Sequence, residues 1–251
     1  MPSPLRSLLA HALFFGLATL AGPAEAKCMQ PSGALAPATG KVPSKPVLRL
    51  LLPEWQAAAY KGMPTLVARV KGKSVPIKVV ADTTAADLRT YRVDVGAAYA
   101  GTLEVQLVDP SGLPDGTWTY EIDPSWTAPT TSEATVTLSH EVSAWTCSHT
   151  RTTSLHFAAN AWAYRVVTAP TATLLGQGKV RSFVLPRAIE QFWGYDPTKL
   201  SSTSSVALGH ASCFGDTFDW ATPSVIADVY ALQPDGSEQK VNAAPLVLPA
   251  P

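Results

Sequence analysis

The sequence predicts an all-β protein built from two β-sandwich domains in tandem behind a signal peptide. Three observations predict this class. Apolar and polar residues alternate with a period of two in many short segments, Gly, Pro, Asp and Ser clusters separate these segments, and no amphipathic run is long enough to require a helix. A chain of 251 residues, 46% of them apolar, is long enough to bury two cores of this kind.

The balance of charges argues against two classes of partner. The chain carries 19 basic and 19 acidic residues, whereas nucleic acids and anionic membranes attract proteins through clustered Lys and Arg. We therefore expect no nucleic-acid partner and no attraction to an anionic membrane.

The first segment, residues 1–26, has the pattern of a secretory signal peptide. Arg6 precedes an apolar run over residues 8–20, and the small-x-small triplet Ala24-Glu25-Ala26 follows. A membrane-spanning helix needs about 20 apolar residues, so the length favours a cleaved signal over an anchor. No later stretch is apolar enough to span a membrane. We expect a mature chain that begins at Lys27 and is exported to the periplasm, the cell surface or the medium.

The first domain is expected over residues 27–123. Leu103, Val105 and Leu107 alternate with polar residues, which predicts a strand with one face in the core and one in water. A short helical turn is expected from Glu54 to Tyr60, because Pro precedes it and three alanines favour it. The strands are expected at residues 47–52, 65–70, 75–80, 88–95, 102–108 and 117–122.

A change of composition marks the domain boundary. Two prolines and a Thr/Ser cluster interrupt the strands, so we place a linker at residues 124–134 and a second domain at 135–251. Pro- and Gly-rich sequences at 109–116 and 234–236 predict hairpin turns. Strands of the second domain are expected at residues 135–142, 153–157, 163–168, 179–185, 206–208 and 225–232.

Two features resemble immunoglobulin-like and fibronectin type III-like modules of exported bacterial proteins. The Pro/Gly pattern of residues 31–43 before the apolar strand at 47–52 resembles the start of such a domain. In the second half, the strand at 163–167 and the spacing of Cys147, Trp162 and Cys213 resemble the core of an immunoglobulin domain, although Ala211 stands where the family has a tyrosine. The resemblance implies adhesion, presentation or spacing as the function.

Three cysteines remain in the mature chain. Cys147 and Cys213 both lie in the second half beside apolar and aromatic residues, and Cys28 lies in a Pro/Gly/Ala-rich leader. In an oxidising compartment a disulfide is the usual fate of a cysteine pair. We expect Cys147 to pair with Cys213, which leaves Cys28 free or linked to another molecule; three cysteines permit three pairings, and the sequence alone does not choose.

The histidines leave a metal site as an alternative to this disulfide. His149 and His210 flank the two cysteines, and Cys2His2 is a ligand set that tetrahedral zinc accepts. The spacing matches no known zinc finger, and exported thiols normally oxidise together. We therefore favour the disulfide and expect no metal and no other cofactor.

The search for catalytic motifs predicts no catalytic residue. His140-Glu141 lacks the second histidine of a metalloprotease motif, since Ala144 stands at that position. Asp216 or Asp219 could form a glycosidase pair with Glu190 or Asp196. No second motif accompanies them, and no Gly-x-Ser-x-Gly elbow occurs.

Aromatic residues offer a candidate contact surface. Trp193 and Tyr195 form a cluster that suits an unknown protein or glycan partner if it is exposed. Trp118 and Tyr120 share one strand face. For both aromatic groups, filling a sandwich core is the favoured interpretation. The sequence thus predicts an exported non-catalytic binding or structural module. Two alternatives stay open: a secreted hydrolase or metal-dependent enzyme using the second domain, and a carbohydrate-binding module.

Overall fold

The computed structural model describes residues 33–37, 39–85, 88–129, 137–145, 148–157, 161, 163–186, 204–211, 215–216 and 222–250. The predicted signal peptide, Cys28 and residues 130–134 of the predicted linker lie outside these residues. We call residues 33–129 the first half and residues 137–250 the second half.

Short strands account for most of the described first half. In chain order the elements are β1 (Ala34–Ala36), β2 (Gly40–Val42), β3 (Val47–Pro53), α1 (Glu54–Ala59), β4 (Thr65–Val70), β5 (Lys73–Val75), β6 (Ile77–Ala85), β7 (Leu88–Val95), β8 (Gly101–Val108) and β9 (Pro114–Ile122).

The described second half has the same character. Its elements are β10 (Thr137–Trp145), β11 (Ser148–Phe157), β12 (Ala163–Ala169), α2 (Ala172–Gly176), β13 (Arg181–Pro186), β14 (Ser204–Ala211), β15 (Gly215–Asp216), β16 (Ser224–Leu232), β17 (Glu238–Lys240) and β18 (Leu246–Pro249). The predicted all-β class is therefore confirmed. Among the described residues no helix has the length and apolar character needed to cross a membrane.

The strands that the structure describes form four sheets, two in each half. Sheet A has the order β1-β3-β7-β6 and sheet B the order β2-β9-β8-β4-β5. In the second half, sheet C has the order β10-β11-β14-β15, and sheet D has the order β13-β12-β16-β17 with β18 also paired to β16. All pairings are antiparallel except that of β2 with β9.

Sheets A and B enclose one hydrophobic core. The alternation predicted for β8 is confirmed, since Leu103, Val105 and Leu107 are fully buried and the residues between them are partly exposed. Sheet A supplies the apolar residues of β3 and β7 from the other side. The buried members of this core are Leu35, Val42, Leu48, Leu50, Leu52, Ala57, Ala68, Val70, Tyr91, Val93, Val95, Leu103, Val105, Leu107, Tyr120 and Ile122.

Sheet A is also covered on its second face. Every residue of β3 is buried, which a strand with one wet face would not show. Leu51 points away from the first core and packs, together with Ala36, against Ala163, Val184 and Leu232 of sheet D. The two halves are therefore in direct contact through sheets A and D, a contact that we call the junction.

Some element boundaries differ from the sequence-based expectation. The strand expected at 75–80 is divided at Pro76, so that β5 ends at Val75 and belongs to sheet B while β6 begins at Ile77 and belongs to sheet A. The short strands β1, β2, β5, β15 and β18 were not expected, whereas β17 is the second strand of the hairpin predicted at residues 234–236. Residues 130–136 lie outside the described part, so the linker at 124–134 and the domain limits at 27–123 and 135–251 stay predictions.

Candidate functional site

The junction contains four charged side chains that pair in a closed ring. Arg49 on β3 and Asp82 on β6 belong to the first half, and Arg165 on β12 and Glu238 on β17 belong to the second. Each arginine contacts both carboxylates, so positive and negative charges alternate around the ring. We call these four residues the charge quartet. Two of its four pairings cross from one half to the other.

Arg49 is the most deeply placed member, with a side chain that is 5% exposed. Its Nε lies 3.1 Å from Asp82 Oδ2, and its Nη2 lies 3.7 Å from Glu238 Oε1. The Nε–H makes no hydrogen bond, so the short approach to Asp82 is a charge contact whose geometry does not suit a hydrogen bond.

Arg165 makes the better-formed contacts. Its Nη1 and Nη2 donate to Asp82 Oδ1 and Oδ2 at 3.2 and 3.3 Å, which is the bidentate geometry that arginine and carboxylate favour. Its Nη2 also donates to Glu238 Oε1 at 2.9 Å. Arg165 thus binds one carboxylate from each half at the same time.

Burial lowers the pKa of both guanidinium groups, and the neighbouring carboxylates raise it. The net change in pKa therefore differs between Arg49 and Arg165. Burial lowers the pKa of Arg49 below its usual value, while the nearby Asp82 carboxylate opposes this change. Burial also lowers the pKa of Arg165, but its hydrogen bonds to Glu238 and Asp82 outweigh the effect and the pKa is raised. Arginine stays charged at neutral pH in either case, so the quartet is neutral as a whole.

Two hydrogen bonds donated by backbone amides also cross the junction. The Val47 N–H donates to the Pro234 carbonyl at 2.6 Å, and the Val184 N–H donates to Thr83 Oγ1 at 3.1 Å. Pro234 lies in the turn between β16 and β17, which reaches the start of β3. Gly236 in that turn has a φ of 86°, and a Cβ at this position would lie only 3.1 Å from Val47 Cγ2. Glycine therefore suits both the turn and its close approach to the first half.

A second polar cluster fixes α1 within the first half. Gln56 is buried; its Oε1 accepts from the Gly33 N–H at 2.7 Å and its Nε2 donates to Asp115 Oδ2 at 2.7 Å. The Tyr60 hydroxyl donates to the same carboxylate oxygen at 2.9 Å. Burial and this hydrogen bond raise the pKa of Tyr60, so the phenol stays neutral. The cluster connects three segments and has a structural role.

The residues singled out for a disulfide or a partner contact lie outside the described part of the chain. This applies to Cys147 and Cys213, to Trp193 and Tyr195, and to Cys28. The structure does, however, describe the strands that flank the first pair. Ser148 begins β11 and Ala211 ends β14, and these two strands are neighbours in sheet C.

The histidines of the alternative metal site lie on the same two strands. In the register of sheet C, His210 stands opposite Arg151, two residues after His149, and also opposite Asp216. For these strands the structure describes the backbone alone. Within the described residues, no group of three or more His, Cys, Asp or Glu side chains is arranged to hold a metal ion.

The aromatic pair on β9 lies against the core of the first half. Tyr120 is 1% exposed and its hydroxyl donates to the Pro37 carbonyl at 2.7 Å, and Trp118 packs against the same core. The core-filling interpretation of this pair is therefore confirmed. Trp55 on α1, to which the sequence analysis gave no role, is half exposed.

Sequence reasoning missed the quartet, although one signal was present. Arg49 interrupts an otherwise apolar run, Val-Leu-Arg-Leu-Leu-Leu-Pro, and a charge in such a run needs a partner. The partners were not recognisable, because Asp82, Arg165 and Glu238 each look like an ordinary surface charge in sequence.

No family model and no curated protein matches this chain. Among solved structures it is similar to a type I pullulanase from Bacillus subtilis str. 168 complexed with maltose, at 12% identity and a TM-score of 0.27 over 84% of this chain and 24% of that one. A pullulanase from Anoxybacillus sp. LM18-11 complexed with maltotriose gives 8% identity and a TM-score of 0.26, over 83% and 25% of the two chains. A second structure of that enzyme gives 8% and 0.23, over 78% and 26%. The chain spans about a quarter of the length of these enzymes, and likeness at this level assigns neither a family nor an activity.

Proposed function

We propose that this protein is an exported, non-catalytic binding or structural module of the bacterial cell envelope or exterior. The observation that carries the proposal is the charge quartet. Each of its four charged groups is paired with two others, so these groups join the halves of the chain instead of facing a substrate. A module that acts through its shape needs such a connection, whereas an acid-base catalyst needs a carboxyl group that can exchange a proton with its substrate.

We propose further that each half is an immunoglobulin-like β-sandwich. In an immunoglobulin domain, strands A, B, E and D form one sheet and strands C, F and G form the other. The order β1-β3-β7-β6 beside β9-β8-β4 in the first half supports this assignment. The orders β10-β11-β14 and β13-β12-β16-β17 support the same assignment in the second half.

The strand order bears on the proposed disulfide as well. Cys147 precedes β11 by one residue and Cys213 follows β14 by two, at the same end of two neighbouring antiparallel strands. This placement supports a link between Cys147 and Cys213. It would be a link within one sheet, and not the inter-sheet disulfide of antibody domains. Cys28 would then be available for a link to another molecule.

Expression of the full chain in a bacterium, followed by fractionation and mass spectrometry, tests the export part. We expect a product that begins at Lys27 in the periplasm or the medium. A full-length product that stays in the cytoplasm would contradict it.

The same mature protein, used to capture partners from an envelope extract with and without reductant, tests whether Cys28 forms an intermolecular link.

Metal analysis separates this proposal from the metal-dependent enzyme. The proposal predicts a metal-free mature protein in which Cys147 and Cys213 do not react with a thiol reagent. One bound metal equivalent together with two reactive thiols would favour the enzyme alternative, since a metal site requires deprotonated, reduced cysteines.

Exposure of Trp193 and Tyr195, measured by quenching of tryptophan fluorescence, tests them as the partner contact.

A further inference from the structure

We propose that the charge quartet is a latch, so that the two halves can separate at the junction as folded bodies and the quartet keeps them docked. The proposal rests on how the four charges are shared. Each half contributes one arginine and one acid, and closing the ring requires both halves. When the halves separate, Arg49 keeps only Asp82 and Arg165 keeps only Glu238.

The apolar part of the junction is small. Among the residues that the structure describes, its buried cluster contains five, two of which are alanines, whereas the core between sheets A and B contains sixteen. Burial of apolar area is the main force that holds folded bodies together. The junction is therefore the weaker of these two contacts, and its charges have a correspondingly larger share in keeping it closed.

Separation would also break the two crossing hydrogen bonds. The amides of Val47 and Val184 donate across the junction, to Pro234 and to Thr83. Neither bond belongs to a strand ladder within one half, so both amides become open to water when the junction opens. Val105, in the middle of sheet B, keeps its environment in that event. The three amides thus distinguish opening of the junction from unfolding of the first half.

Amide hydrogen exchange of the mature chain, read by NMR, tests the latch. Arg165→Gln removes the charge that binds one carboxylate from each half. We expect exchange at Val47 and Val184 to accelerate about tenfold or more, with no change at Val105. The matched control is Arg69→Gln, which removes an arginine paired with Glu104 at 3.3 Å within sheet B and should leave all three amides unchanged.

Glu238→Gln gives an independent variant if Arg165→Gln does not fold. Glu238 is the most exposed member of the quartet, at 34% of its side chain, so its replacement by the equally large amide disturbs packing least. We expect the same pattern with a smaller acceleration. If either Val47 or Val184 fails to accelerate more than Val105, the latch proposal is wrong. This outcome is independent of export and of any partner, so it leaves the proposed function untouched.

Discussion

A single arginine connects local sequence with the packing of the whole chain. Arg49 lies in a strand whose every residue is buried, and its charge is balanced by carboxylates from both halves. Removing one partner from a buried ion pair leaves the other without compensation, which costs far more than the pair itself contributes. Replacing the complete set by apolar residues is often harmless by comparison. The free energy of unfolding therefore depends less on the presence of the quartet than on all four of its charges being present together.

We expect Arg49→Met to destabilise the protein by about 3 kcal/mol, because Asp82 and Glu238 then share Arg165 alone. Urea unfolding at neutral pH measures the loss. Arg69→Met is the matched control: its pair with Glu104 is partly exposed on both sides, so the cost should stay below about 1 kcal/mol. Equal losses of unfolding free energy in the two variants would show that burial does not increase the cost of removing Arg49.

Hydrogen bonding to a carboxylate in a turn makes a second prediction at this scale. Asp109 Oδ1 accepts from the Ser111 hydroxyl, and from the N–H groups of Ser111 and Leu113, and the Ser111 hydroxyl is the main reason that the pKa of Asp109 is lowered. A lowered pKa in the folded state gives stability that is present above the unfolded value, about 3.9, and is lost as the pH falls through the folded value.

We therefore expect Ser111→Ala to raise the pKa of Asp109 towards its usual value, as followed by NMR titration of its carboxyl carbon. The stabilising effect of the turn should then disappear at a higher pH than in the wild type. Ser125→Ala is the control. Ser125 lowers the pKa of Asp123 in a similar turn, so this variant should leave the pKa of Asp109 unchanged. A pKa of Asp109 that does not respond to Ser111→Ala would contradict the assignment.

At the scale of the element, burial decides how much each strand could be predicted. Strands with one face in the core carry a period of two, and β4 and β7 lie at the predicted bounds. The strands β1, β2, β5, β15, β17 and β18 have two to four residues. Such segments are too short to show a period, and their pairing depends on neighbours that are distant in sequence.

The same reasoning explains why the candidate site was not predicted. Apart from Arg49, β3 is an apolar run, which is typical of a strand buried on both faces, yet the element that covers its second face lies beyond residue 160. The quartet brings together residues 49, 82, 165 and 238. These four residues come together only because sheet A packs against sheet D. Neither the spacing nor the composition of the sequence indicates that contact.

A leucine in β3 tests the core at this scale. Leu50 is fully buried between sheets A and B, so Leu50→Ala should destabilise the chain by about 2–5 kcal/mol through lost burial and the cavity that remains. Leu113→Ala makes the same chemical change at a position that is 64% exposed and should cost less than about 0.5 kcal/mol. Urea unfolding compares the two. Similar values would mean that β3 does not form the core of the first half.

At the scale of the whole molecule, one observed connection and one proposed connection join parts of the chain that are distant in sequence. The quartet connects sheet A with sheet D by charge, and the proposed disulfide would connect the ends of β11 and β14 covalently. The disulfide would close a loop of about 66 residues, which in the chain-entropy model restricts the unfolded state by about 4 kcal/mol. It acts within the second half, so its loss should leave the junction closed until the second half itself unfolds.

We expect a peptide map of the unreduced mature protein to contain one cross-linked pair, with Cys147 in one peptide and Cys213 in the other. Cys147→Ser should lower the free energy of unfolding by about 4 kcal/mol. The control Cys28→Ser should change it by less than about 0.5 kcal/mol, because Cys28 precedes β1 in sequence and closes no loop in this scheme. A map that links Cys28 to either of the other two cysteines would overturn the pairing. Cys28 would then connect the N-terminal segment to sheet C, and the two halves would be joined by a bond stronger than the quartet.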